Sequence, residues 1–200
     1  VVAGGGSGGG LYCDAKGNGN VCSPQVTNAT FTGNTADGNG GAIYNDGGFN
    51  GASSPQVTNA TFTGNAAARG GAIHNYGENG ASSPQVTNAT FTGNAATRGG
   101  AIHNNGIRGT SSPQVTNATF TGNTADRDGG AIYNDSVDGT SSPKITNVIL
   151  WGNSATRNGN EIDNRDATPT LSYTLVEGLN PSGTGNLDGT DPANAPRFVD

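Results

Sequence analysis

The chain has 200 residues with a net charge of −6, and Gly and Asn together make up 61 of them (35 and 26), while hydrophobic residues reach 31% and charged residues 12%. So few large apolar side chains cannot fill a thick globular core, no window is rich enough in helix formers for long helices, and the glycines lack the collagen period. The acidic balance offers no basic surface for nucleic acid, and no apolar run is long enough to span a bilayer, so neither nucleic acid nor a membrane span is expected.

Along the chain, one string repeats. Ser-Pro-Gln-Val-Thr-Asn-Ala-Thr-Phe-Thr-Gly-Asn starts at Ser23 and recurs around Pro55, Pro84 and Pro113, with diverged copies at Pro143 and Pro169. A second string follows each first one: Gly-Gly-Ala-Ile-(Tyr/His)-Asn at Gly40–Asn45, Gly70–Asn75, Gly99–Asn104 and Gly129–Asn134, then a degenerate copy at Gly159–Asn164. A period near 29 residues marks a solenoid, because one such unit cannot bury its apolar face alone.

Within each unit the apolar positions alternate as in strands. Val26, Ala29 and Phe31 point to one side and Thr27, Thr30 and Thr32 to the other. Pro24 opens the first strand, Asn28 divides it, Gly33-Asn34 closes the second, and Ile43 marks a third. The fold expected is all-β, a right-handed parallel β-helix (β-solenoid) of about six rungs with three short strands per rung. At roughly 4.8 Å per rung the rod is about 29 Å long. Residues 1–178 form the solenoid, with a partial first rung over 1–22 and repeats over 23–178; 179–200 are a C-terminal extension or cap. Asn28, Asn34 and Asn45 and their copies are placed at corners, where stacked amides bond between rungs.

Phe31-Thr32-Gly33-Asn34 followed by Gly40-Gly41-Ala42-Ile43 resembles the paired FxxN and GGA(I/L/V) motifs of the polymorphic outer membrane protein repeat family. Ser142–Asn153 and the ending Asp191-Pro192 to Phe198-Val199-Asp200 are similar to secreted proteins with right-handed parallel β-helix repeats. The resemblance covers nearly the whole chain. It implies a secreted, extracellular or cell-surface β-helix, often an adhesin-like passenger, and it carries no catalytic residues across.

Candidate sites are few. Cys13 falls in the column of Asn45 and Cys22 in that of Ser53, facing each other across a loop base, so a disulfide is expected. Tyr44, His74, His103 and Tyr133 share one column, read as an outward aromatic stripe that could stack on sugars or simply be solvated. His74 and His103 on adjacent rungs could share a metal, but no third ligand accompanies them, and neither metal nor cofactor is expected. Two Thr columns, Thr30 and Thr32 with their copies, make the flat grid of ice-binding solenoids, interrupted by Ile149 and Trp151. Asn28, Asn59, Asn88 and Asn117 stand in Asn-Ala-Thr sequons, assigned to a buried corner where a glycan would not fit. Acidic residues are scattered over the variable loops and Arg69, Arg98, Arg127 and Arg157 form a spaced basic row read as a solvated edge, so no enzyme is expected.

The ends are complementary. Gly8–Cys13 matches the third strand of a rung, and Pro169–Gly178 the first two. Head-to-tail stacking into a filament is therefore the leading expectation, through Leu11, Tyr12, Leu171, Tyr173, Leu175, Val176, Phe198 and Val199. The partners expected are another copy of the chain or other surface components, and glycans; an adhesin-like or carbohydrate-binding surface module is the alternative, and ice binding the third.

Overall fold

The computed structural model describes residues 6–198. Among the described residues it is all-β apart from a single 3-10 turn at Pro192–Asn194, and every strand pairing is parallel, linking equivalent residues of successive repeats. The chain winds through about six turns of a parallel β-solenoid.

Each full rung holds one long strand and shorter ones. Gln25–Thr32, Gln56–Thr63, Gln85–Thr92, Gln114–Thr121 and Lys144–Trp151 stack in one sheet, and Ile43–Asp46, Ile73–Tyr76, Ile102–Asn105, Ile132–Asp135 and Ile162–Arg165 in another, with Leu11–Asp14 at its N-terminal edge. The repeat differs in three ways from the expected three strands, one being a small sheet of Val21–Cys22, Ala52–Ser53 and Ala81–Ser82. Asn28 does not end its strand; it takes φ +56° and bends the strand, and its copies drop out of the pairing register. A further short sheet forms over Ala66–Arg69, Ala95–Arg98, Thr124–Asp128 and Ser154–Ala155, where small residues let the backbone turn towards the Gly-Gly pair.

That pair is imposed by backbone geometry. Gly70 has φ +62°, and a Cβ on it would lie 2.1 Å from the Ile73 carbonyl oxygen; one on Gly71 would lie 2.2 Å from that of Gly100 on the next rung. Only glycine allows both the left-handed turn and the close approach of rungs.

The core is a set of columns. Val57, Ala60, Phe62, Ala72 and Ile73 and their copies are buried in one continuous cluster. The phenylalanines stack nearly coplanar: Phe31–Phe62 at 4.9 Å, Phe62–Phe91 at 4.7 Å and Phe91–Phe120 at 4.4 Å between centroids. Two amide columns run inside alongside them. Asn45, Asn75, Asn104 and Asn134 each donate to the next at 2.7–2.8 Å, the last of them to Asn164. In the column of Asn65, Asn94 and Asn123 each residue gives its backbone N–H and its side-chain amide to the next side-chain oxygen. Buried amides are costly only when unpaired, and here each completes the next, except for Asn45 Oδ1 at the N-terminal end of its column.

A third amide column corrects an expectation. Asn28, Asn59, Asn88, Asn117 and Asn147 form a ladder at 2.7–3.0 Å, but it is exposed on the outside of the rod, not in a buried corner. The positive φ turns each side chain outward at the bend.

At the C-terminal end the chain covers itself. Tyr173 N–H donates to the Thr184 carbonyl, Leu187 N–H to that of Thr174 and Gly178 N–H to that of Gly189, and Asn186 bridges Thr174 and Leu171. Leu175 and Val176 are buried as a result, so these two expected stacking residues are not surface groups. Tyr12, Tyr173 and Phe198 are about half exposed, Leu11 and Leu171 are partly buried, and Val199 lies outside the described residues.

Candidate functional site

The site is best built from the Ile43–Asp46 sheet outward. Ile43 and Asn45 point into the core, so Tyr44 between them must point away from it. Register stacks Tyr12, Tyr44, His74, His103 and Tyr133 in one column. Tyr12–Tyr44 at 5.2 Å, Tyr44–His74 at 5.4 Å and His74–His103 at 4.7 Å are face-to-face, and His103–Tyr133 is tilted at 5.0 Å.

The column is not the solvated stripe expected from its outward direction. Tyr44 is 7% exposed, His74 1%, His103 2% and Tyr133 3%. Neighbouring columns rise on both sides of it. On one side stand Asn39, Arg69 and Arg98; on the other stand Asp46, Tyr76 and Asn105 with the variable loops. Alternation along single strands cannot show that the flanking columns are tall enough to form a trough.

Two open depressions lie along this trough. The first, about 440 Å³, is lined by Tyr44, Asp46, Arg69, His74, Tyr76 and Glu78 among others, with Phe49 and Lys16 at its rim. Lys16 Nζ sits 4.9 Å over the Phe49 ring. The second, about 310 Å³, is lined by Arg98, Arg127, Tyr133, Arg157, Asp163 and Arg165 around Asp128.

The carboxylates here are mostly engaged. Asp46 accepts the hydroxyls of Tyr12 and Tyr44, each at 3.3 Å, and the Gly48 N–H at 3.0 Å. Glu78 accepts from the Tyr76 hydroxyl and from Arg108. Burial first, then the bond to Glu78, push the Tyr76 hydroxyl up to about 12. Asp128 is buried and gripped by Arg157 at 2.8 Å and Arg98 at 3.4 Å, with Asn158 at 3.0 Å. Burial alone would raise its carboxyl, but the bonds from Arg157, Asn158 and Arg98 outweigh it and hold the group below its usual range. Two members of the basic row, Arg98 and Arg157, thus clamp one aspartate, whereas Arg69 and Arg127 pair with no carboxylate among the described residues. Register foreshadowed this: Asp128, not Arg127, stands in the column of Arg69 and Arg98.

His74 and His103 stay neutral. Burial lowers His74 to about 3, helped by Arg69, and burial holds His103 well below the usual imidazole range. None of their four ring nitrogens has a hydrogen-bond partner. The rings lie only 15° from parallel, so a metal in the plane of one lies out of the plane of the other, and the stacked pair does not form a shared metal site.

At the N-terminal end Cys13 and Cys22 are joined in a disulfide, with Cα atoms 5.6 Å apart. Cys13 stands in the Asn45 column, where a disulfide sulfur has no proton to give, and Asn45 Oδ1 is without a partner. At the other end sits a residue that sequence reading passed over. Glu161, in the Ala column of the Gly-Gly-Ala-Ile motif, is buried and accepts from Asn153.

A family profile, the Chlamydia polymorphic membrane protein repeat, matches residues 28–46, 59–76, 88–105 and 117–135. Each match runs from the strand bend at Asn through the Phe and Gly-Gly-Ala-Ile motifs and ends just past the aromatic column. Four rungs of the β-solenoid thus carry the polymorphic membrane protein repeat, over 74 of the 200 residues. The name fits a surface or outer-membrane location for these repeats. No curated protein and no solved structure matches the chain. Among the described residues no helix is long and apolar enough to cross a membrane.

Proposed function

We propose that this solenoid is a non-catalytic extracellular rod that binds along its flank, in the manner of an adhesin. The observation that carries the reading is the trough over the aromatic column, where buried imidazoles without partners meet cations and aromatic edges on consecutive rungs. Binding along the flank suits a repeat fold, which presents one extended surface instead of a single deep pocket. The self-covered C-terminal end, with Leu175 and Val176 buried by residues of the same chain, favours flank over end contacts.

Head-to-tail stacking is the second reading, and one observation favours it. The strand Gln25–Thr32 is the edge of its sheet among the described residues, with Phe31 and Val26 only partly covered. Such an edge is a template for another strand.

The test uses beads coated with the folded chain and a panel of cell surfaces. Flank variants Arg69→Glu and Tyr76→Ala are compared with the end variant Tyr173→Glu. Adhesion lost in the flank variants and kept in the end variant is the expected result. Adhesion indifferent to the flank, together with long filaments in electron micrographs that Tyr173→Glu abolishes, would replace this reading by stacking.

A further inference from the structure

The chain carries net charge −6 and only nine Lys and Arg residues, yet six of the nine line the two depressions of one flank: Lys16, Arg69, Arg98, Arg127, Arg157 and Arg165. Such concentration in an acidic protein calls for a counter-charge. Three of the four carboxylates along the trough, Asp46, Glu78 and Asp128, are engaged by their own neighbours. Lys16, Arg69 and Arg127 touch no carboxylate among the described residues.

The trough also offers matched non-ionic groups. His74 lines the first depression, is 1% exposed, and has neither ring nitrogen bonded. A neutral imidazole carries one donor and one acceptor, and a hydroxyl group satisfies either. Beside it stand the Tyr76 ring, 6.0 Å away and edge-on to His74, and the half-exposed Phe49 ring at the rim. Aromatic faces for ring C–H groups, an unsatisfied imidazole for hydroxyls and unpaired cations for carboxylates are together the chemistry of a sugar acid.

Resting on the flank reading above, we propose that the trough binds a linear uronate-bearing polysaccharide laid along the rod axis. One ring sits in the first depression against Tyr76, with His74 bonded to a hydroxyl and Arg69 to the carboxylate. A sugar further along the chain reaches the second depression, where Arg127 is the free cation. Tyr44 and Tyr133 are about 14 Å apart, three rungs at roughly 4.8 Å each, so only an extended chain engages both.

The experiment is calorimetric titration of the folded chain with hexagalacturonate, neutral cellohexaose and a polyphosphate of matched charge. Hexagalacturonate is expected to bind, more weakly as salt rises, and at least ~10-fold better than cellohexaose. Arg69→Ala, at an exposed position, and His74→Phe, which keeps the ring stack and removes both nitrogens, are each expected to weaken binding ~5-fold or more. Unchanged thermal unfolding of Arg69→Ala separates lost binding from lost fold. Equal binding of cellohexaose overturns the acidic class and leaves flank adhesion standing. Polyphosphate binding as well as hexagalacturonate, with no response to His74→Phe, reduces the trough to a charge patch and overturns the proposal. Absence of sugar binding while flank variants still abolish cell adhesion overturns this proposal alone; flank variants silent in both assays overturn both.

Discussion

Asn153 hands its backbone N–H and its side-chain amide to the carboxylate of Glu161, at 3.0 and 2.5 Å. Earlier members of the column give the same pair to the next asparagine's oxygen, Asn94 to Asn123 for example. The Leu150–Val176 register puts Leu179 where the next asparagine would stand, so Glu161 reaches across from its own strand and closes the ladder.

Burial, first of all, and the nearby Glu177 hold the Glu161 carboxyl up at about 7, against the bonds from Asn153. A raised folded pKa means that the unfolded chain loses the proton first, from about 4.5, so this group's contribution to stability declines as pH rises from there through 7. Glu161→Gln keeps an oxygen that can accept both bonds, as each asparagine oxygen does, and carries no charge. We expect Glu161→Gln to be more stable than the parent at pH 8 by on the order of 2 kcal/mol and equal at pH 4. Urea unfolding at the two pH values decides it; parallel changes in both proteins would show that Glu161 does not titrate.

The imidazoles act in the opposite direction. His74 is neutral in the fold down to about 3, and His103 is likewise held below its usual value. The unfolded chain takes up protons from about 6.5, so stability is lost as pH falls below that point. Replacing both by Phe preserves the stack and removes the four unpartnered nitrogens. The double variant should resist acid, with its unfolding midpoint lower by roughly 1 pH unit. An unchanged midpoint would mean that the two rings are protonated or solvated in the fold.

The amide columns differ in consequence, and two substitutions separate them. Asn94 is buried and joined to Asn65, Asn123 and the Phe62 carbonyl, so Asn94→Ala strands groups on both neighbouring rungs. A loss of ~3 kcal/mol is expected. Asn88 bonds in the exposed column at φ +53°, a conformation glycine tolerates, so Asn88→Gly should cost less than ~1 kcal/mol. Equal losses in denaturant unfolding would contradict the assignment of inner and outer ladders.

Cys13 and Cys22 close a short loop at the rod's N-terminal end. Reduction should cost ~2–3 kcal/mol in the chain-entropy account, felt locally. Hydrogen exchange should accelerate over Leu11–Asp14 and Val21–Cys22 and stay unchanged over Gln85–Thr92, because each rung contacts chiefly its neighbours. Uniform acceleration would mean that the rod unfolds as a single unit.

Repetition made most of the fold legible in the sequence. Because parallel stacking sets each residue on its own copy, spacing alone placed Phe31 on Phe62, Cys13 beside Asn45 and His74 beside His103. It did not show how far flanking columns stand out from the sheet. Direction from the core was read as exposure, which failed for Tyr44 and Tyr133, sunk between taller neighbours, and reversed for Asn28, swung outward by a left-handed bend. The clamp on Asp128 and the Glu161 closure were equally hidden, because each joins residues from columns that only the folded rung brings side by side.

Periodicity, then, determined by itself the rung, its inward columns and the position of the disulfide, since these follow from which residues repeat at one spacing. The tertiary structure alone decided which outward columns are buried, which cations remain unpaired and how the chain covers its own C-terminal end. Those outcomes depend on side-chain reach and on the path of the C-terminal segment, Leu179 to Ala195, which carries no repeat.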